Sequence, residues 1–398
     1  MNINGRRSKV ICRVALAIAT LPVLACQAQV DKPVTGPAAR AAQGTAQHER
    51  LLAHVGAGFI DQSGALAIGV SGRFHGKFSN GLARVWQGVG QKWGYIDANG
   101  KLVIQPAYDW ALPFSEGLAA VNVGARISND RGLRGADVMW ARIEGGKWIF
   151  IDKSGKAVME TPYTEVGSFH DGLAPVKSND KWGYIDKAGK IVVPPRFENA
   201  DELRDGMGAV LLGHRWGFIG KSGEQVVEPR YPSRIELMGG QIIMGVGFSN
   251  GLAWVGNGPG KWGVIDSSGQ FVIPPQYGSY GSDFSDGLAA VKTQGKTCII
   301  DKSGKVLLET DYGQISEFSE GIASFWKGKL WGAMDKTGKV IIEPQFSRPF
   351  KFSQGLAAVE TEVETGPQRI SRNEYYIDKS GARLFSADDA WEFQRVIP

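Results

Sequence analysis

Cysteine is scarce in this chain. Of 398 residues only Cys12, Cys26 and Cys298 carry a thiol, and two of those precede residue 27, so no disulfide framework can staple the remainder. Histidine is equally sparse: His48, His54, His75, His170 and His214 show no metal-ligand spacing. No calcium loop, phosphate loop, Ser-His-Asp set or Rossmann fingerprint occurs, so the sequence implies no metal, no cofactor and no catalytic group. Acidic residues are missing before Cys26, where Arg6, Arg7, Lys9 and Arg13 lie. Those four account for most of the formal net charge of +5; without them 41 basic residues face 40 acidic ones. Such a balance provides no basic face for nucleic acid. Long apolar runs are absent too. Val14 to Ala25 is interrupted by Thr20 and Pro22 and is too short to read as a membrane span.

Glycine and tryptophan are abundant, at 54 and 12 residues. They recur together. Lys181-Trp182-Gly183-Tyr184-Ile185-Asp186 opens a stretch running to Phe197, and related stretches begin at Lys92, Lys147, Arg215, Lys261, Lys296 and Leu330. Truncated versions span 58–69 and 374–386. The turn residues Asp97, Asp152, Asp186, Asp266, Asp301 and Asp335, with Gly220 at the equivalent place in one unit, are spaced by 55, 34, 34, 46, 35 and 34 residues. A fixed period of about 35 residues marks one supersecondary unit that gains stability by stacking on its neighbours.

Helical repeats share that period, but Gly in the middle of apolar runs and Pro at the end of a third exclude them. Each unit therefore reads as a three-stranded antiparallel meander. Strand one is of the Gly-Leu-Ala-Ala-Val type (117–121, 172–176, 251–255, 287–291, 355–359), strand two is Trp-Gly-Tyr-Ile-Asp, and strand three is of the Leu-Val-Ile-Gln-Pro type. The Asp-x-x-Gly between strands two and three is a hairpin turn, with Asp bonding the backbone ahead and Gly supplying positive φ. Trp182 and Tyr184 point one way and Ile185 the other, so both faces of the sheet are apolar and need a neighbour. The expected fold is all-β: meanders stacked as an open, curved, solenoid-like array, with a closed propeller-like ring as the alternative.

The Lys-Trp-Gly-Tyr-Ile-Asp and Phe-Ser-Glu-Gly-Leu-Ala-Ala-Val strings resemble the bacterial WG-repeat, or KWG-repeat, family over roughly 58–386. The resemblance implies a β-repeat fold and carries no catalytic residues. Three units depart from it: Ile149 follows Trp148 in place of Gly, Thr297-Cys298 replaces Trp-Gly, and Gly220 replaces the turn Asp.

The repeated residues are expected to be structural. Trp93, Trp148, Trp182, Trp216, Trp262 and Trp331 read as core, with Gly94, Gly183, Gly217, Gly263 and Gly332 allowing close packing; sugar stacking by these rings is the competing reading. The turn Asp residues read as caps rather than metal ligands. Glu116, Asp171, Asp205, Asp286 and Glu320, which precede the Gly of strand one, read as solvated turn residues, since paired acid/base carboxylates would not recur in every unit. Cys298 reads as a buried small hydrophobe.

Specificity is expected where the period breaks, because insertions in repeat arrays map to loops. Three insertions stand out, at 122–146, 232–247 and 360–373. The first carries Arg126, Arg131, Arg134, Trp140 and Arg142, and the last Arg369 and Arg372. In a meander all three emerge at the edge opposite the Asp-x-x-Gly turns.

Residues 1–25 read as a secretory signal. Val23-Leu24-Ala25-Cys26 resembles a bacterial lipobox, which would make Cys26 a lipidation site, and Gln27 after it would favour the outer membrane over the inner. Residues 26–50 read as a flexible tether of roughly 25–30 Å reach, and 51–398 as the array. The expected protein is exported, at the outer membrane or cell surface if Cys26 is lipidated and in the periplasm if not, touching the membrane only through its lipid. Its expected function is a non-catalytic envelope scaffold for an unidentified protein partner. Glycan binding is the alternative, and a hydrolase with an unrecognised site the second.

Overall fold

The computed structural model describes residues 53–55, 58–60, 66–69, 73–74, 78–87, 92–128, 142–232, 234–237, 240–243, 247–256, 258, 261–293, 295–366 and 369–386. The expected signal, Cys26 and tether lie outside these residues. All described residues belong to one compact unit, Ala46–Pro398, and among them every regular element is a strand.

The strands form nine meander sheets in chain order. The first is Ala53–Val55, Gly58–Ile60 and Leu66–Gly69. The second is Arg73–Phe74, Leu82–Gln87, Lys92–Asp97 and Leu102–Tyr108. The third is Trp110–Ala111, Leu118–Ser128, Arg142–Asp152 and Ala157–Glu160. The fourth is Glu165–Val166, Leu173–Ser178, Lys181–Asp186 and Ile191–Phe197, and the fifth Asn199–Ala200, Gly208–Leu212, Arg215–Ile219 and Gln225–Pro232. Leu252–Gly256, Trp262–Asp266 and Phe271–Tyr277 make the sixth, and Leu288–Thr293, Lys296–Asp301 and Val306–Thr310 the seventh. Gln314–Ile315, Ile322–Lys327, Leu330–Asp335 and Val340–Phe346 make the eighth, and Leu356–Gly366, Arg369–Asp378 and Arg383–Ser386 the ninth. Each sheet contains only consecutive strands, and among the described residues no ladder joins the first sheet to the ninth; the described strands pair as an open array.

The three strands read from the sequence are present in every unit, and five sheets add a fourth. It is a two-residue strand on the free edge of strand one, drawn from the link that precedes it. Its brevity explains why no sequence pattern announced it.

Between strands two and three, the Asp does what its chemistry allows. One oxygen of Asp301 accepts from the backbone N–H of Ser303 (2.9 Å) and of Lys305 (3.1 Å) and from the Ser303 hydroxyl (2.6 Å), while Gly304 sits at φ +84°. Asp97, Asp152, Asp186, Asp266 and Asp335 repeat this pattern with backbone donors two and four residues on. Where Gly220 replaces the Asp, Glu224 folds its carboxylate back to accept from the Ser222 N–H and hydroxyl. A side chain on Gly220 would collide with that carboxylate.

The motif Gly answers a different constraint. Strand three does not stop at its Pro; it runs past it through a bulge, so that Trp262 pairs with Tyr277 but Val264, two residues on, pairs with Ile273. The bulge drives the chain against strand two. A Cβ on Gly263 would lie 2.6 Å from the Ile273 carbonyl oxygen and 2.8 Å from the Pro275 nitrogen, and Gly94, Gly183, Gly217 and Gly332 meet the same pair of atoms from their own third strands. Only Gly fits. In the third and seventh sheets, where Ile149 and Cys298 replace it, strand three has no Pro, and register stays regular across that position: Ile149 pairs with Glu160, and Cys298 with Glu309. The two departures are thus one, made in adjacent strands.

Both sheet faces are buried, as two-sided apolar strands require. Trp93, Tyr95 and Ile104 of the second sheet share a core with Phe114, Ala119 and Val121 of the third. Further cores join the third to the fourth sheet, the fourth to the fifth, the fifth through the seventh, the seventh to the eighth and the eighth to the ninth. Tyr hydroxyls add to the joints: Tyr95 donates to the Leu112 carbonyl (2.7 Å) and Tyr184 to that of Asp201 (2.8 Å), each in the following unit.

Candidate functional site

The carboxylates before strand one come first among candidates, because they recur and cluster. Each lies at the first central position of a two-residue turn of the primed type, with φ near +50°; Asp171 is at +50° and Gly172 at +84°. Asn and Asp tolerate that geometry better than most residues. Their side chains are not simply solvated, as expected; they reach the next unit. Asp171 accepts from the Gly206 N–H (2.8 Å), Asp205 from Gly251 (2.9 Å), Asp286 from Gly321 (2.7 Å) and Glu320 from Gly355 (2.9 Å). The Lys that follows the first turn residue of the next unit, Asp186, Gly220 or Asp378, closes on the same group: Lys187 on Glu116 (2.9 Å), Lys221 on Asp171 (2.5 Å) and Lys379 on Glu320 (2.9 Å). Ser residues run a parallel chain, Ser115 donating to the Phe169 carbonyl (2.5 Å), Ser249 to Phe284 (3.0 Å) and Ser319 to Phe352 (2.7 Å). The Phe-Ser-x-Gly string is therefore a hydrogen-bonded spine linking one unit to the next.

These bonds set the titration. Partial burial acts to raise Glu116, but the Lys187 ammonium and Gly172 N–H outweigh it and hold the carboxyl below its ordinary value. The Lys221 contact lowers Asp171 in the same way. A polar cavity of about 470 Å³ collects members of this spine, Glu116, Asp171, Asp205 and Asn250, together with His170 and Asp283. No group of three or more His, Cys, Asp or Glu among the described residues has metal-ligand geometry. His170 is tied to Glu202 across the joint between sheets four and five, 3.2 Å away.

The motif rings are packing elements. Trp93, Trp148, Trp216, Trp262 and Trp331 are buried, and Trp182 is half-buried. Cys298 is buried and unpaired.

The insertions are built as hairpins rather than loops. The first prolongs strands one and two of the third sheet into a ribbon, Arg126 facing Glu144 and Arg142 facing Ser128 across it. The last does the same in the ninth sheet, pairing Glu362 with Arg372 and Gly366 with Arg369. The middle one forms a separate hairpin, Arg234–Leu237 against Gly240–Ile243. Arg126 is exposed. Arg131, Arg134 and Trp140 lie outside the described residues, as do the side chains of Arg142, Arg369 and Arg372. The ladders place both ribbons at the end of strand two away from its Asp turn, where strand three of the fifth sheet also delivers the middle hairpin.

One site was missed by sequence reasoning although its signal was in view. Thr297 stands where other units have Trp, and a groove of about 630 Å³ opens there, lined by Tyr280, Thr297, Gln314, Ile315, Trp331 and Phe350, with Lys292, Glu317 and Lys351 among its polar groups. The Thr297 hydroxyl donates to the Tyr312 carbonyl (2.6 Å), one repeat position before the carbonyl that takes Trp148 Nε1 in the third sheet, that of Thr164 (3.1 Å). What Thr297 lacks is the ring. Tyr280 is 53% exposed at the same place and packs its ring 5.4 Å from that of Trp262.

Among solved structures, the computationally designed Ika8 protein aligns with 80% of this chain and 99% of its own at 11% identity, with a TM-score of 0.44. A eukaryotic initiation factor aligns with 83% and 92% at 12% identity and 0.47, and BamB from Moraxella catarrhalis with 62% and 76% at 9% identity and 0.36. No curated protein matches. The model of the WG containing repeat matches seven segments, 93–125, 148–182, 182–213, 216–233, 262–296, 299–330 and 331–362. Six of them begin at a motif Trp (93, 148, 182, 216, 262 and 331), and the chain belongs to the family of proteins built from this repeat.

Proposed function

We propose that this protein is a non-catalytic scaffold of the cell envelope, exported and held there through a lipidated Cys26, whose β-repeat array presents binding hairpins to a protein partner. The observation that carries the reading is the form of the insertions. All three interruptions of the period are paired strands delivered to the same end of the meanders, and ladder-continuing ribbons offer preorganised surface at a lower ordering cost than open loops. The repeated carboxylates support it from the other side, since they are engaged in joints between units.

The test is affinity capture from envelope fractions with the full chain and with a variant whose first ribbon is trimmed by replacing residues 124–145 with Asn-Gly. Loss of the captured protein on trimming supports the reading; capture of glycan alone, unaffected by trimming, refutes it. Radiolabelled palmitate incorporation into the wild type and into Cys26→Ser tests the anchor.

A further inference from the structure

In five units the carbonyl at one position of strand one accepts from the link that precedes it. Asn122 accepts from the Asp109 N–H (2.9 Å), Lys177 from Thr164 (3.0 Å), Leu211 from Glu198 (2.7 Å), Trp326 from Gly313 (2.9 Å) and Glu360 from Ser347 (2.8 Å). Lys292 holds that position in the seventh sheet, and its carbonyl has no such partner among the described residues. There the link 278–282 rejoins strand one only at Ser282, whose N–H donates to the Ala290 carbonyl (2.8 Å). The short fourth strand, which in the eighth sheet pairs Gln314 with Trp326 and Ile315 with Phe325, is missing opposite Val291 and Lys292.

This edge borders the groove left by the absent motif ring. Two departures thus meet at one place: a missing indole at Thr297 leaves apolar volume beside Ile315, Trp331 and Phe350, and a missing strand leaves a backbone acceptor on its rim. A charge completes the set. Lys292 is exposed and has no ion-pair partner among the described residues, whereas Lys351 beside it is paired with Glu317 at 3.0 Å.

From this juxtaposition we infer that the groove binds a short extended segment of a partner protein. The segment adds the missing strand to the free edge at Val291–Lys292, places an aromatic side chain in the space left at Thr297, and sets a carboxylate against the Lys292 ammonium. Strand addition of this kind takes its affinity from main-chain bonds and its selectivity from pockets for alternate side chains. The unpartnered carbonyl is what favours a peptide over a sugar, because a main-chain N–H aligned with a strand edge satisfies it with the geometry of the sister units. The inference rests on the scaffold reading and assigns the chemistry of one partner segment.

The test is selection of phage-displayed random heptapeptides on the full chain, counter-selected on Thr297→Trp, followed by fluorescence anisotropy with the enriched peptide. Thr297→Trp places there the residue that sister units carry, and Lys292→Glu, at an exposed position, is a second variant that leaves the buried packing as it is. The expected peptide joins an aromatic to an acidic residue. Its affinity falls about tenfold or more with Thr297→Trp, with Lys292→Glu, and with N-methylation of its central amide. Lack of any Thr297-dependent enrichment, indifference to N-methylation, or preference of the groove for a chito-oligosaccharide probe would overturn the inference. Ribbon-trimmed protein separates it from the scaffold reading: there the peptide still binds, while envelope capture fails. If capture depends on the ribbon but no peptide is selected, the inference alone falls.

Discussion

Asp171 and Gly206 lie 35 residues apart, yet the carboxylate of the first accepts the N–H of the second at 2.8 Å. Lys221 closes on the other oxygen at 2.5 Å. Asp171→Ala removes both bonds and places Ala at positive φ, so it is expected to lower stability by about 2 kcal/mol. Asp171→Asn keeps the acceptor and suits the backbone, so its cost is expected to be less than half of that. Urea unfolding of both variants at low and high salt checks this, with only the wild type and not Asp171→Asn losing an ionic contribution as salt rises.

Gly263→Ala forces a Cβ into the carbonyl of Ile273 and the nitrogen of Pro275, both backbone atoms that cannot rotate away. A loss of about 3 kcal/mol is expected, at the upper end of overpacking effects. Cys298→Ala, at the equivalent position of a sheet whose register runs regularly through Thr297, Cys298 and Ile299, is expected to cost under about 1.5 kcal/mol. Equilibrium denaturation midpoints decide between them.

In the fifth sheet the turn is capped from behind, by Glu224 in place of an Asp at position 220. Glu224→Ala is expected to lower the melting temperature, as is Asp301→Ala in the seventh sheet, and to speed amide exchange at Ser222. An unchanged exchange rate at Ser222 would show that the carboxylate is not its partner.

Two titrations oppose each other. The Glu202 carboxylate beside His170 raises the imidazole above its ordinary 6.5 despite desolvation. Its stabilising effect is complete below 6.5 and is lost as pH rises through the raised folded value. Glu116, Asp171 and Glu320 are lowered from ordinary values of 4.5, 3.8 and 4.5, so their contribution is present above those values and disappears as pH falls through the folded ones. Unfolding free energy measured across this range is expected to decline at both ends. His170→Gln is expected to remove its share of the decline above 6.5 and to weaken the acid limb as well, because His170 also helps to hold the Glu202 and Asp171 carboxyls below their ordinary values.

Much of the fold was legible in the residues because the unit is repeated. Trp182, Tyr184 and Ile185 announced a strand with two buried faces, and Asp-x-x-Gly announced a turn, since both signals are local and recur. The two-residue fourth strands were not legible, because nothing in Trp110–Ala111 or Gln314–Ile315 has periodicity to read. The sequence marks Glu116 and Asp171 as turn residues, as the backbone bears out, but their bonds to Gly172 and Gly206 cross from one unit to the next and depend on how units stack. The groove at Thr297 was announced as a departure and not as a site, because the volume a missing ring leaves depends on whether neighbours collapse into it.

The sequence by itself determined the repeating unit, its three main strands, its turns and the two-sided burial that compels stacking, since these follow from short-range spacing and side-chain type. The tertiary structure decided the rest. Stacking brought the Ser and acidic side chains of one turn onto the next unit's backbone, and set Pro bulges against the motif Gly. It also held open the space that Thr297 leaves beside the unpaired edge at Lys292, because those contacts join residues that no local pattern places together.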